Sequence, residues 1–318
     1  MVLNGAVFCS KGLGDGLIFF IIANNLRLNG FETKAYHDFL GGLQSSFPFS
    51  IEEFPKMEDM EKVLSQQDLV IINNDSSERC QFLVSLAKKL KPKQNWVLHA
   101  TTCKGKNLPG DYYLDPSLTM VDNLKNFCDK ALKLKVSTKE NGLDLFQKDQ
   151  LVFRKNLKRI AIHPSSADPK RNWPLKKFIH LAVSLKNRGY ESFFILSQKE
   201  RPAFVKALDI AGFPAPDFSS LKEIAGFLYE SGFFIGNDSG IGHLASALKI
   251  PTLTIFATKR KEIFWRPGWG LSRKVAPYSL LPNIKHLRLQ EKYWQNLLPV
   301  FKVYREFIKL ERASLEKK

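Results

Sequence analysis

Phe233-Phe-Ile-Gly-Asn-Asp-Ser-Gly-Ile-Gly-His-Leu-Ala245 is the stretch of this chain whose reading decides the fold. A short apolar run suited to a buried strand meets glycines and then a helical pattern that begins near Gly242. A strand feeding directly into a helix is the repeating unit of a parallel α/β sheet. The first amides of such a helix have no intrahelical partner and lie at the positive end of its dipole, so they favour an anion. Ser239 and those amides are the candidate anion ligands, and Gly240 lets a phosphate approach the backbone closely. Asp238 suits either a helix cap or a carboxylate accepting hydrogen bonds from a ribose or sugar hydroxyl. His243, one turn into the helix, suits either the same anion or a satisfied place in the core.

Outward from this stretch the same alternation recurs. Strands are expected at Val2–Cys9, Leu69–Asn73, Trp96–His99, Ile160–His163, Ser192–Leu196, Phe233–Ile235 and Thr252–Phe256. Helices are expected at Leu17–Asn29, Glu78–Leu90, Leu175–Arg188, Arg201–Ala211, Leu221–Glu230 and His243–Leu248. Short strands alternating with helices imply parallel sheets with crossover helices. The pattern restarts near residue 158, after a lysine-rich, less regular stretch over Lys130–Lys158 that reads as a linker. The expected architecture is therefore α/β, with two doubly wound Rossmann-like domains, 1–150 and 151–318, facing across a cleft. Ligands of such sheets bind beyond the carboxyl ends of the strands. Near the end, Tyr293, Leu297, Phe301, Tyr304 and Ile308 form a helical apolar stripe. It is expected to pack as core, back towards the first domain; a basic amphipathic membrane helix is the alternative.

The 318 residues carry a net charge of +17. Residues 1–150 hold 18 basic and 18 acidic side chains, and residues 151–318 hold 30 and 13, so the excess belongs to the second half. A field of that sign concentrates anionic ligands such as nucleotide diphosphates, nucleic acid or acidic lipid head groups. No motif for nucleic-acid recognition accompanies it. Cys9, Cys80, Cys103 and Cys128 lack CxxC spacing and read as reduced, mostly buried thiols. The apolar run Leu17–Ala23 is too short to span a bilayer and lacks the flanks of a secretory signal. A cytoplasmic protein is expected, with contact at the inner face of the membrane left open.

Two further segments complete the pattern. Ser10-Lys-Gly-Leu-Gly-Asp-Gly16 follows the first strand, and Ile160-Ala-Ile-His-Pro-Ser-Ser-Ala-Asp-Pro-Lys-Arg-Asn-Trp-Pro174 contains a basic turn ahead of a helix. The glycines of the first do not fit a dinucleotide fingerprint, because Leu17 stands where the third glycine belongs. Together with Asp238-Ser-Gly-Ile-Gly-His-Leu-Ala245, in this order, these segments resemble glycosyltransferase family 9, the family of the lipopolysaccharide heptosyltransferases. The resemblance runs from about residue 5 to residue 267. Ser165 stands where the family usually has glycine, and the family pattern is sparse between the N-terminal loop and the linker.

The resemblance implies a two-domain fold of the GT-B type. It implies that Asp15 is the general base that takes the proton of the attacking acceptor hydroxyl; on its own, Asp15 reads equally as an N-cap carboxylate. Lys11 and Gly14 lie beside it on the acceptor side. Arg171, with Lys170 next to it, would neutralise the departing diphosphate. Ser165, Asp238, Ser239, Gly240 and His243 would line the donor site. Glu200 suits the donor ribose hydroxyls or a solvated surface. The implied reaction is inverting and metal-independent, with no cofactor beyond a nucleotide-diphosphate sugar, ADP-heptose by default, and no Asp-x-Asp motif to hold a metal. The implied acceptor is a lipopolysaccharide core or related glycolipid. A nucleotide- or polyanion-binding protein without activity and a nucleotide-sugar epimerase are the other readings.

Overall fold

The computed structural model describes residues 2–91, 94–100, 109–145, 150–258, 263–278 and 289–316. Contacts divide the chain into Met1–Asp144 and Leu145–Lys318, a boundary just ahead of the expected one at 150.

The first unit begins with β1 (Asn4–Phe8), α1 (Leu13–Leu28), β2 (Glu32–Tyr36), β3 (Ser50–Glu52) and α2 (Met60–Ser65). It continues with β4 (Leu69–Asn74), α3 (Glu78–Leu90), β5 (Asn95–His99), β6 (Asp111–Tyr113) and α4 (Met120–Asn126). Its sheet has the order β3-β2-β1-β4-β5-β6, and every pairing is parallel. The chain builds outward from β1 to β3, then returns to the other side of β1, so the strand order reverses between β1 and β4. That reversal opens a crevice at the carboxyl ends of the two strands.

The second unit contains β7 (Asn156–His163), α5 (Leu175–Lys186), β8 (Glu191–Phe194), α6 (Arg201–Ile210), α7 (Leu221–Tyr229) and β9 (Ser231–Asn237). Then follow α8 (Gly240–Ala247), β10 (Thr252–Ile255), β11 (Ser272–Val275), α9 (Leu289–Leu297) and α10 (Val300–Leu315). The sheet order is β11-β10-β9-β7-β8, again all parallel, with the reversal between β7 and β9. Every residue of β9 is buried, as a central strand covered on both faces requires. Ile160, Ile162, Phe178, Phe194, Phe233 and Phe307 pack into one core beneath α5 and α10. Each such side chain contributes about 1.5–3 kcal/mol by leaving water.

Three expectations need correction. First, the N-terminal helix starts at Leu13 rather than Leu17, so Gly14 and Asp15 belong to its first turn. Likewise α8 starts at Gly240, capped by Ser239.

Second, the lysine-rich stretch after residue 130 is not a linker up to Asp144. It is clamped to α1 by side-chain amides. Asn25 donates to the Thr138 carbonyl at 2.8 Å and accepts from the Thr138 amide at 2.7 Å. Asn29 repeats the pair on Val136, at 2.8 and 3.0 Å. Asn24 donates to the Glu140 carbonyl and Asn141 to the Leu17 carbonyl. The spacing fits, because four residues of helix advance about 6 Å and two of extended chain about 6.6 Å. Two asparagines one turn apart thus replace a neighbouring strand.

Third, the terminal stripe is out of phase. Pro299 separates α9 from α10, and the buried face is Trp294, Leu298, Val303, Phe307 and Leu310, whereas Tyr293 and Phe301 are exposed. A proline cannot continue the backbone ladder, so the helical period restarts after it.

Cys9, Cys80 and Cys128 are buried free thiols, and Cys103 lies outside the described residues. Among the described residues no helix is long and apolar enough to cross a membrane.

Candidate active site

In the first unit, β1 ends beside β4 and the chain turns at Ser10-Lys-Gly12 into α1. Asn73, at the end of β4, donates to the Ser10 hydroxyl at 2.9 Å and ties the two strand ends together. Lys11 is exposed and Gly14 is buried. Gly12 is the N-cap residue and offers no side chain, so the Asp15 carboxylate two positions into the helix folds back over it. A β-carbon on Gly12 would lie 2.1 Å from Asp15 Oδ2, so a larger residue there would push that carboxylate out of its folded-back position. The Asp15 charge also reaches Cys9, whose thiol is pushed up by burial and further by that carboxylate.

His37 holds this loop from the side. Its Nδ1 accepts from the Phe39 and Leu40 amides at 3.1 and 3.2 Å. Nε2 therefore carries the proton and donates to the Gly12 carbonyl at 3.1 Å. The ring presses so closely on α1 that a β-carbon on Gly16 would meet it at 2.4 Å. Burial lowers the His37 pKa and keeps the ring neutral. Sequence reasoning missed His37, because the strand it follows, Glu32-Thr-Lys-Ala-Tyr36, carries charges and was not read as one.

In the second unit the strand reversal brings His163, at the end of β7, against Asn237, at the end of β9. Asn237 is fully buried, donates to the Pro164 carbonyl at 2.7 Å and accepts from the Trp173 amide at 3.0 Å. It thereby staples both ends of the Pro164–Trp173 turn to the central strand. The turn is fixed from outside as well. Trp294 donates to the Lys170 carbonyl at 2.9 Å, Gln295 to the Asn172 carbonyl at 2.7 Å, and the Trp173 indole to the Leu298 carbonyl at 3.0 Å. Asp168 caps the short helical turn Pro169–Arg171, accepting from the Lys170 amide, and Lys170 itself is exposed. Arg171 extends from that turn to Asp238, with Nη1 at 3.2 Å from Oδ2.

Ser239 accepts from the Gly242 amide at 3.4 Å and lies 3.0 Å from His163 Nδ1. On the other side of the same ring, Nε2 is 3.1 Å from the Ser165 hydroxyl and 3.4 Å from Glu200 Oε1. Ser165 donates to Glu200, which also accepts from the Ser197 amide and hydroxyl at 2.7 Å each. Burial alone would raise the Glu200 carboxyl, but the hydrogen bonds from His163, Ser165 and Ser197 hold it well below the usual carboxylate range. An ionised Glu200 only accepts, so the proton order follows. Ser165 gives its hydroxyl proton to Glu200 and accepts from His163 Nε2–H, and Nδ1 lies against the Ser239 hydroxyl. His243 sits in the first turn of α8, 5% exposed, with no hydrogen-bond partner at Nδ1. Burial lowers its pKa to about 4, so it is neutral at pH 7.

Residues 117–292, more than half of the chain, match the family model "Glycosyltransferase family 9 (heptosyltransferase)". The chain belongs to glycosyltransferase family 9. Over 185 residues it is 29% identical to lipopolysaccharide heptosyltransferase 1 of Campylobacter coli, covering 55% of this chain and 53% of that protein. The chain thus spans about half the length of the curated relative it matches. Its fold is similar to that of a family 9 glycosyltransferase from Veillonella parvula, with a TM-score of 0.71 and 16% identity over 99% of this chain and 98% of that one. It is also similar to that of Escherichia coli ADP-heptose lipopolysaccharide heptosyltransferase II, with a TM-score of 0.70 and 16% identity over 99% of each chain. The two parallel-sheet α/β units are those of the family 9 fold.

The structure brings together four of the donor-site positions named from the sequence. Ser165, Glu200 and Ser239 converge on His163, and Gly240 opens the helix that Ser239 caps. Arg171 and Asp238 form a pair beside them. Asp238 does not cap α8; the helix starts at Gly240, which puts Ser239 at the N-cap position, where it accepts from the Gly242 amide. Nor is Glu200 simply a solvated acid, since three side chains and an amide surround it. His163 and Asn237 stood inside quoted motifs without a role, because neither residue type at the end of a buried strand announces what it touches.

Proposed function

We propose that this chain transfers a sugar from a nucleotide-diphosphate donor, ADP-heptose, to a lipopolysaccharide core or related glycolipid acceptor. The observation that carries the reading is the start of α8. A serine-capped helix N-terminus stands at the reversal of a parallel sheet, with Arg171 on one side and an ionised Glu200 on the other. The helix amides suit the diphosphate, Arg171 and Lys170 suit its growing charge, and Glu200 suits the paired hydroxyls of the ribose. Family membership supports sugar transfer, and the name of the Escherichia coli relative supports ADP-heptose.

In this reading the acceptor oxygen attacks the anomeric carbon as the bond from that carbon to the diphosphate oxygen breaks. Asp15 takes the acceptor hydroxyl proton, and the nucleoside diphosphate leaves with the bonding pair. A single displacement inverts the anomeric configuration. The helix amides and the basic turn supply the charge stabilisation that a divalent cation would otherwise give, so transfer proceeds without a bound metal. Basic side chains of the second unit would hold the enzyme at the inner face of the cytoplasmic membrane while the acceptor's lipid stays embedded.

The test is donor-dependent glycosylation of a heptose-deficient core acceptor in the presence of EDTA, with the anomeric configuration of the product read by NMR. Product that forms, is inverted and is insensitive to EDTA supports the reading. Failure to bind or use any of ADP-, UDP- or GDP-linked sugars would overturn it.

A further inference from the structure

We infer that His163 is the positioning residue that couples the two halves of the nucleotide site, so that a nucleoside diphosphate is held by Ser239 and Glu200 as one unit through opposite nitrogens of a single ring. This rests on the donor reading above and goes beyond it, since His163 itself touches neither phosphate nor ribose in that reading.

The geometry leaves little choice. His163 is 4% exposed and sits at the last position of β7, where β9 flanks it on one side and β8 on the other. Its Nδ1 faces the Ser239 hydroxyl at 3.0 Å, and Ser239 is the cap of the anion-binding helix. Its Nε2 faces Ser165 at 3.1 Å and Glu200 at 3.4 Å. Both ring nitrogens are engaged, so a turn of the ring that follows one partner displaces it from the other. An ionised Glu200 calls for the proton at Nε2, through Ser165. Nδ1 then lies against the Ser239 hydroxyl, whose oxygen also accepts from the Gly242 amide at 3.4 Å. A ligand that moves Glu200 therefore shifts the ring against Ser239, and a ligand that moves Ser239 shifts it against Glu200. Linked sites of this kind are reciprocal.

A double-mutant cycle reads the coupling directly, with ADP as the probe and calorimetry as the measurement. Ser239→Ala, Glu200→Gln and the double variant are compared in the wild-type background and again with His163→Phe. In the wild-type background the two losses should depart from a simple product by about threefold or more. With His163→Phe the departure should vanish. His163→Gln, which keeps an amide able to reach one partner, guards against a phenylalanine variant that fails to fold, and its residual coupling should also be small. Kinetically, His163→Gln should raise the donor KM and leave kcat near wild type, because the ring meets no reacting atom. Equal coupling in both backgrounds would overturn the inference, as would a fall in kcat at unchanged KM. Wild-type protein that binds neither ADP nor UDP nor GDP would overturn the donor reading itself, and the inference with it.

Discussion

Arg171 Nη1 stands 3.2 Å from Asp238 Oδ2, so the cation of the basic turn is held by the acid that immediately precedes Ser239, the cap of α8. The pair is partly exposed, 31% and 13% by side chain, and its own contribution to stability is within about 1 kcal/mol. Its value lies in aim. Arg171→Ala should lower transfer by about a hundredfold or more, the scale of losing one preorganised charge at a leaving group. The thermal midpoint should barely move. Initial-rate kinetics beside a melting curve check both, and a variant of near wild-type activity would remove Arg171 from the leaving-group role.

Asp15 and Gly12 should fail together. Asp15→Asn keeps the shape of the first turn and removes the base, so kcat should fall by about 10²–10⁴ while ADP affinity is unchanged. Gly12→Ala places a β-carbon where Asp15 Oδ2 now lies, 2.1 Å away, and should reproduce that kinetic loss with an intact second unit. Active Gly12→Ala protein would show that the folded-back position of the carboxylate is immaterial.

The clamp between α1 and residues 136–141 should be a large term in the stability of the first unit. Asn25 is fully buried and serves both the amide and the carbonyl of Thr138. Asn25→Ala strips partners from both groups, each costing about 1–3 kcal/mol where water cannot replace them. Urea denaturation should show that loss, and amide exchange at Thr138 should accelerate. Asn29→Ala should cost less, because its contacts with Val136 are exposed.

Acid should begin to destabilise the fold above the range in which carboxylates titrate. Burial sets the His243 pKa at about 4, against 6.5 in the unfolded chain, and lowers that of His37 in the same direction. Between those values the unfolded state binds more protons, so stability falls as pH drops from 6.5 towards 4 and levels off for His243 below that. For His243 the full loss is ~3 kcal/mol. Glu200, whose carboxyl is held low, adds a loss only below its ordinary value of 4.5. Urea midpoints at several pH values, with wild type and His243→Phe, test the assignment. An equally steep slope in the variant would refute it.

Much of the fold was legible because strand and helix alternate with clean punctuation. The helix expected at Glu78–Leu90 is α3, bounded by the cap Ser77 and by Lys91. What escaped notice was polar or indirect. Glu32-Thr-Lys-Ala-Tyr36 and Ser272-Arg-Lys-Val275 pair as strands despite their charges, since long side chains at or next to a sheet edge can reach water. The clamp on α1 had no periodicity to detect, because its partner groups are side-chain amides four residues apart on a helix. In the site, the anion-binding start of α8 was readable from local chemistry alone. His163, Asn237 and His37 were not, since their roles come from strands that meet only after folding.

The turn that presents Lys170 and Arg171 is buttressed by Trp294, Gln295 and Leu298, more than a hundred residues downstream. On the ribosome, therefore, β7, β9 and α8 can be complete while the arginine beside them is still unsupported. A nascent or truncated chain lacking residues 289–316 would carry Asp238, Ser239 and Arg171 and yet hold that turn loosely. The support of the basic turn arrives late in synthesis.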